Sequence, residues 1–211
     1  MRDSGFNVCI IEDDISTSRA LRRLVTSFGY GAHIYHTASS FIKDDRYGNA
    51  DCILLDVNLP DMTGLELQNL LNSEGVTVPI VFLTGHGDVP MSVKAMKAGA
   101  IDFLQKPVAE TALLAALTRA ISIRQAAQSE QTDREQARQL IESLTERELQ
   151  VFKCVLTGAM NKQIASHLSI SEKTVKVHRG HMMKKLGAKS IVDLVSLSDL
   201  GQIEPDGSLK R

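Results

Sequence analysis

Residues 51–64 read DCILLDVNLPDMTG, and this stretch decides the fold that we predict for the first half of the chain. The apolar run at 51–55 is short and continuous, which favours a strand buried on both faces of a sheet. A turn-forming segment follows, and Thr63 with Glu66 then makes the capping-box pattern that opens a helix. A buried strand that leads through a loop into a helix is typical of one βα unit of a parallel sheet.

The same alternation extends outward in both directions. Further apolar runs separated by helical patterns predict strands at 7–11, 31–35, 79–83 and 101–104. Five strands alternating with helices indicate an α/β fold, a doubly wound five-stranded parallel sheet of the flavodoxin-like kind. We assign residues 1–122 to this domain.

Chemically active side chains follow several of these predicted strands. They are Glu12, Asp13 and Asp14 after the first strand, Asp56 after the third, Thr84 after the fourth and Lys106 after the fifth. Since the carboxyl ends of parallel strands meet at one sheet edge, we expect these groups to converge. Clustered carboxylates suit Mg²⁺, and a carboxylate can be a nucleophile toward phosphorus. An ammonium and a hydroxyl would supply the charge and the donor that phosphoryl transfer needs.

Each of these motifs also has an ordinary structural interpretation. An acidic loop after a strand is often a helix N-cap, a role that suits Asp14. A Lys-Pro pair, such as Lys106 with Pro107, is commonly a turn. The joint pattern at the ends of four strands is what favours a phosphoryl-transfer site.

The second half of the chain contains helical patterns only. One helix continues into a polar linker helix at 123–142; a coiled-coil contact there is an alternative, but its apolar seam fades after Ile123. Residues 143–211 predict a small all-α domain of four short helices. Its predicted caps are the Thr145/Glu148 capping box, Asn161, Ser171 and Ser190. The tail after Gly201 looks frayed.

The third of these short helices has one apolar and one basic stripe. The apolar stripe is Val175, His178, Met182 and Leu186; the other is Lys173, Lys176, Val177, Gly180 and Lys184. Such a helix fits the major groove of DNA, although a solvated lysine face is the ordinary alternative. The charge supports a polyanionic partner, because residues 1–107 carry a net charge of −4 and residues 143–190 carry +6.

Composition excludes several other classes of protein. The apolar runs are too short for a membrane span and the start lacks a signal-peptide pattern, so we expect a soluble cytoplasmic protein. Cys9, Cys52 and Cys154 sit among apolar residues without CxxC spacing or an adjacent histidine cluster. We interpret them as buried free thiols rather than a disulfide or a zinc site.

The stretch 6–107 resembles a response-regulator receiver domain, and TGHGDVPMSVKAMKAGAIDFLQKP (84–107) is similar to the FixJ branch. The resemblance implies that Asp56 is the phosphoacceptor, served by a sensor histidine kinase. It implies that Mg²⁺ is held by Glu12, Asp13, Asp56 and the backbone carbonyl of Asn58. Glu12 stands where the family more often has Asp. It further implies that Thr84 and Phe103 are switch residues, that Lys106 pairs with the phosphate, that the Lys106–Pro107 bond is cis, and that His86 modulates access.

Residues 143–200 resemble a LuxR-type helix-turn-helix domain, through LTERELQVF (144–152), NKQIASHLSISEKTVKVH (161–178) and KLGAKS (185–190). The resemblance and the basic stripe together give these DNA-contacting residues: Lys162, Lys173, Thr174, Lys176, Val177, Arg179 and Lys184. Glu148 and His178 match positions with a structural role. The helix at 190–200 is a dimerisation surface in similar proteins.

We therefore predict a two-component response regulator, not an enzyme. Phosphorylation of Asp56 would control homodimerisation and binding to promoter DNA, with RNA polymerase as a candidate further partner. A haloacid-dehalogenase-like phosphatase is a weaker alternative, because a DxD start and a cap segment are not visible. A basic helix that binds an acidic protein, and a regulator that works without phosphorylation, are two further alternatives.

Overall fold

The computed structural model describes residues 5–44, 50–85 and 89–208, and for 89–92 the backbone alone. The chain divides into two compact units, Met1–Ala127 and Gln128–Arg211. His86, to which the resemblance gave a role in access, lies outside the described residues. None of the described helices has the length and apolar character that crossing a membrane requires.

The first unit is built on a parallel sheet, which confirms the predicted fold class. Its strands are β1 (Asn7–Ile11), β2 (Gly31–Tyr35), β3 (Cys52–Asp56), β4 (Ile80–Thr84) and β5 (Asp102–Gln105), in the spatial order β2-β1-β3-β4-β5. The last three strands lie one residue later than predicted. Asp56 and Thr84 are therefore the last residues of β3 and β4, because Asp56 pairs with Leu83 and Thr84 with Gln105.

Helices cover both faces of the sheet. They are α1 (Ile15–Ser27), α2 (Ala38–Lys43), α3 (Gly64–Ser73), α4 (Val89–Lys97) and α5 (Glu110–Glu142). Successive strand residues face opposite sides, so Ile10 and Leu54 pack in one core with α1 and α5, whereas Ile11 and Leu55 pack in the other with α2 and α3. Asp14 caps α1 as predicted, accepting a hydrogen bond from the Thr17 amide at 2.7 Å. The two cores hold the strand ends in fixed positions.

Two further local predictions for the first unit are confirmed. Thr63 and Glu66 form the complete capping box of α3. The Lys106–Pro107 bond is cis, as the resemblance implied.

The second unit contains the end of α5 followed by α6 (Glu146–Leu156), α7 (Asn161–Leu168), α8 (Glu172–Lys185) and α9 (Ile191–Gly201). Thr145, Ser171 and Ser190 cap their helices as predicted. The prediction for Asn161 is wrong. Met160 occupies the cap position and donates its N–H to the Gln163 side chain at 2.8 Å, while Asn161 Oδ1 accepts from Arg179 at 3.1 Å.

The tail after Gly201 is not frayed over residues 202–208, which corrects the prediction from sequence. Ile203 packs against the core of the second unit, and its N–H donates to the Ser198 carbonyl at 2.9 Å. Asp206 pairs with His167, whose Nε2 lies 2.9 Å from Asp206 Oδ2. The polar composition of the tail suggested fraying, because the sequence does not reveal that Asp206 pairs with a residue 39 positions away.

Candidate functional site

The strand ends bring an ammonium group and two carboxylates into direct contact. Lys106, directly after β5, donates from Nζ to Asp56 Oδ2 at 2.7 Å, and the same Nζ lies 2.5 Å from Glu12 Oε2. Glu12 is completely buried and Asp56 is 5% exposed. Lys106 keeps 20% of its side chain accessible. The three groups are therefore largely shielded from water but can be reached from one side.

A third carboxylate completes the cluster. One ligand oxygen from each of Glu12, Asp13 and Asp56 lies within 4.8 Å of the other two. The Asn58 amide donates to Asp56 Oδ1 at 3.2 Å, so each oxygen of the Asp56 carboxylate accepts a hydrogen bond, one from Asn58 and one from Lys106. The strand ends thus bring together the three carboxylates that the resemblance assigned to a metal, and the Asn58 amide lies beside them.

The electrostatics of the cluster follow from burial and from the mutual contacts. Burial raises the pKa of Glu12, and the nearby Asp56 charge adds to this, although contact with Lys106 opposes it. Burial alone would lower the pKa of Lys106, but its hydrogen bonds and charge contacts with Asp56 and Glu12 outweigh that effect and raise it. Lys106 is therefore held as a cation at neutral pH. Glu12 Oε2 meets it as an ion pair and has no well-aligned hydrogen bond.

Thr84 and Phe103, the predicted switch residues, lie on the strands beside the cluster. Thr84 is 5% exposed, and its backbone carbonyl accepts a hydrogen bond from the Lys106 amide at 2.7 Å. Phe103 is partly buried in β5, with its ring centroid 6.0 Å from that of Phe82. Their positions are compatible with the predicted roles, which stay predictions.

Two further residues support the cluster and were missed from sequence. His36 Nδ1 lies 2.9 Å from the backbone oxygen of Glu12 and so fixes the start of the acidic loop. Gly64, the first residue of α3, approaches the backbone of Asp56 so closely that a Cβ would lie 2.3 Å from the Asp56 carbonyl oxygen. The sequence offered one signal for this close approach: a glycine, which has no Cβ, directly after the capping residue Thr63.

The second unit contains the basic helix that the sequence predicted. In α8, Val175, Met182 and the following Leu186 are buried, whereas His178 is only partly so. The opposite side is exposed, and the predicted DNA residues that it exposes are Lys173, Lys176, Val177 and Lys184. Lys162 is exposed on α7.

Thr174 and Arg179 differ from the other predicted DNA residues because both already have partners within the protein. The Thr174 hydroxyl shares a hydrogen bond with the capping Ser171 hydroxyl at 2.7 Å, and Arg179 donates to Asn161. Both side chains are partly buried. They are thus positioned by the helix-turn-helix itself, and DNA contact by either would have to share or replace these bonds.

Glu148 fixes the C-terminal end of α8 against the start of α6. Its Oε2 accepts from the Thr145 amide at 2.9 Å and from Lys185 Nζ at 2.6 Å. The hydrogen-bonded contact with Lys185, helped by the Thr145 amide, lowers the pKa of Glu148 to about 2. Sequence reasoning gave Glu148 a structural role but did not identify Lys185 as its partner.

Comparison with known proteins identifies both units. Residues 8–118 match the family model for the response regulator receiver domain, and residues 142–198 match that for bacterial regulatory proteins of the luxR family. The chain is 42% identical to response regulator protein TodT of Pseudomonas putida over 199 residues, which are 94% of this chain and 88% of TodT. It is 37% identical to transcriptional regulatory protein FixJ of Rhizobium meliloti over 205 residues, covering 96% of this chain and 99% of FixJ.

Solved structures agree with this result. Response regulator StyR is 42% identical, with a TM-score of 0.81 over 93% of this chain and 99% of the StyR chain. Full-length FixJ from B. japonicum is 33% identical, with a TM-score of 0.56 over 94% and 98% of the two chains. Since the receiver model spans more than half of the sequence and the relatives align along nearly all of it, this chain belongs to the response-regulator family, as a transcriptional regulator with a receiver domain and a LuxR-type helix-turn-helix domain.

Proposed function

We propose that Asp56 accepts a phosphoryl group from a sensor histidine kinase, and that this modification controls promoter binding by α8. One observation carries the proposal: Lys106 Nζ lies 2.7 Å from Asp56 Oδ2 inside a cluster of three carboxylates at the strand ends. A buried carboxylate can act as the nucleophile. The cation beside it can neutralise the negative charge that the transferred phosphoryl group brings. The chain would act as a regulator in the cytoplasm rather than as an enzyme with its own substrate.

The chemistry needs one bond to form and one to break. A carboxylate oxygen of Asp56 attacks phosphorus, the phosphorus–nitrogen bond to the kinase histidine breaks, and the electron pair returns to the imidazole. The product is an aspartyl phosphate. Lys106 is placed to pair with the new phosphoryl oxygens, and the Asn58 amide keeps the other Asp56 oxygen oriented.

The residues at this site fit Mg²⁺. All the side-chain donors are oxygens, and the three carboxylates with Lys106 carry a formal net charge of −2, which one divalent cation would neutralise. Glu12, Asp13, Asp56 and the Asn58 carbonyl would hold the ion. When bound, the ion would neutralise charge on the phosphoryl oxygens.

Phosphorylation adds negative charge at Asp56, and Lys106 and Thr84 would respond by contacting it. Because Lys106 directly follows β5 and Phe103 lies within it, the response would reach that strand first. We propose that the outcome is homodimerisation and tighter promoter binding, with the exposed apolar residues of α9 as a second dimer surface. RNA polymerase would then be recruited at the promoter.

Labelling with a phosphodonor tests the phosphoacceptor. We expect the full-length protein, incubated with acetyl phosphate and Mg²⁺, to gain one phosphoryl group by intact mass, and Asp56→Asn to gain none. Asp133→Asn, an exposed aspartate of α5, is the matched control and should be labelled like the parent protein. An unlabelled parent protein, or equal labelling of Asp56→Asn, would refute the assignment.

A salt titration tests the basic face of α8. We expect Lys176→Ala to weaken promoter binding and to reduce the slope of log K against log salt by about 0.9, the contribution of one phosphate contact. Lys97→Ala, which removes an exposed lysine from the first unit, should leave that slope unchanged. Equal slopes for Lys176→Ala and the parent protein would show that Lys176 does not contact phosphate.

A further inference from the structure

Three potential metal ligands from separate parts of the second unit lie close together. Cys154 is on α6, His167 is on α7 and Asp206 is in the tail after α9. His167 Nε2 lies 2.9 Å from Asp206 Oδ2, and Cys154 Sγ lies 3.9 Å from the same oxygen. All three ligand atoms lie within 4.8 Å of one another.

These distances are close to those of a tetrahedral metal centre. With usual Zn²⁺ bond lengths, the nitrogen and oxygen ligands are about 3.4 Å apart and the sulfur and oxygen ligands about 3.6 Å. The observed contacts of 2.9 and 3.9 Å would each change by only a few tenths of an ångström. We propose that Cys154, His167 and Asp206 form a Zn²⁺ site, with the fourth position open to water, in contrast to the free thiol that the sequence predicted for Cys154.

The carboxylate of Asp206 is oriented by contacts on its other side. Asp206 Oδ1 accepts hydrogen bonds from the Ser208 amide at 3.0 Å and from the Ser208 hydroxyl. The Asp206 amide donates to the Lys153 carbonyl at 3.2 Å, at the end of α6. These bonds leave Oδ2 directed at His167 and Cys154, which is the outer-shell support that metal-ligating carboxylates usually have.

Access and donor type both suit an ion of the zinc class. The side chains of His167 and Asp206 are 30% and 26% exposed, and the Cys154 thiol lies buried behind them, so an ion can enter from solvent. Sulfur and imidazole donors select Zn²⁺ over Mg²⁺, in contrast to the all-oxygen cluster of the first unit. Burial raises the pKa of the Cys154 thiol to about 11, and binding therefore has to displace its proton.

Cobalt is the optical probe for this site because Co²⁺ adopts the geometry of Zn²⁺ and reports a thiolate ligand directly. We expect the reduced full-length protein, titrated with Co²⁺ in excess Mg²⁺, to develop a thiolate-to-cobalt charge-transfer band that saturates at one equivalent. Zn²⁺ should abolish this band by displacing Co²⁺. If the three residues formed only a surface ion pair beside a buried thiol, the band would not develop.

Variants of the two ligands that solvent can reach test the assignment. His167→Ala and Asp206→Ala should each abolish the band or weaken Co²⁺ binding at least about tenfold. Cys52→Ala, which removes a buried thiol of the first unit, and Asp56→Asn, which alters the acidic cluster, should both retain the band. No band in the parent protein, a band that survives either ligand variant unchanged, or its loss in Cys52→Ala would overturn the proposed site.

Discussion

The ion pair between Glu148 and Lys185 should stabilise the DNA-binding unit in a way that depends on pH. Glu148 is buried at the start of α6 and contacts Lys185 at the last turn of α8. Replacing Glu148 with Gln removes the negative charge but leaves an amide oxygen that can still accept from the Thr145 N–H. The variant therefore tests the charge and preserves the capping box.

The lowered pKa of the Glu148 carboxyl sets the size of this stabilisation and the direction in which it changes with pH. Its fall from the ordinary 4.5 to about 2 corresponds to at most ~3 kcal/mol of stability at neutral pH. Because the Lys185 side chain is 38% exposed, solvent screening reduces this to about 1–2 kcal/mol. The folded-state pKa is the lower one, so the stabilisation is complete above about pH 4.5 and is lost as the pH falls toward 2.

Urea unfolding, monitored by signals that report on the second unit, would measure the loss of stability in Glu148→Gln. We expect Glu148→Gln to lower the free energy of unfolding by about 1–2 kcal/mol at pH 7, with the difference shrinking between pH 4.5 and 3. Glu146→Gln, an exposed glutamate in the same helical turn, should change it by less than about 0.5 kcal/mol. A difference for Glu148→Gln that is equally large at pH 7 and pH 3 would refute the ion-pair explanation.

Three further predictions concern two glycines and the lysine of the acidic cluster. Gly64→Ala should destabilise the first unit by about 1–3 kcal/mol in thermal unfolding, because its Cβ would meet the Asp56 backbone. Gly180→Ala, whose Cβ would meet nothing within 4 Å, should instead stabilise α8 by about 0.5–1 kcal/mol; a loss of stability there would contradict this. Lys106→Met should tighten Mg²⁺ binding about tenfold by calorimetry, because it removes one positive charge beside the carboxylates; unchanged affinity would place the ion elsewhere.

Local patterns in the sequence were sufficient for the elements and their order. Continuous apolar runs marked the strands, and the capping boxes at Thr63 and Thr145 marked helix starts that the structure confirms. Strand ends were less certain, since an apolar run does not reveal where backbone pairing stops. Asp56 was therefore predicted to follow a strand whose last residue it is.

Contacts between distant residues explain what local patterns missed. Asn161 looked like a cap, but Arg179, 18 positions away, engages its side chain, and Gln163 satisfies the free amide of Met160 instead. His167 and Asp206 are 39 positions apart, so their pairing was not predictable from spacing. Sequence alone predicted convergence at the sheet edge but not the direct contact of Lys106 with Glu12.

The bonding of Asp56 indicates which element would respond first to the phosphorylation that we propose. Asp56 Oδ1 is held by an amide in its own loop, whereas Oδ2 is held by Lys106. A phosphoryl group attached at Oδ2 would have to displace the Lys106 contact, while the bond to Oδ1 could persist. The Lys106 amide, directly after β5, is hydrogen-bonded to the Thr84 carbonyl, and Phe103 of β5 packs beside Phe82. We infer that the new charge acts first on this ammonium group and reaches the surface around β5 through its strand, before any element on the opposite side of the sheet changes.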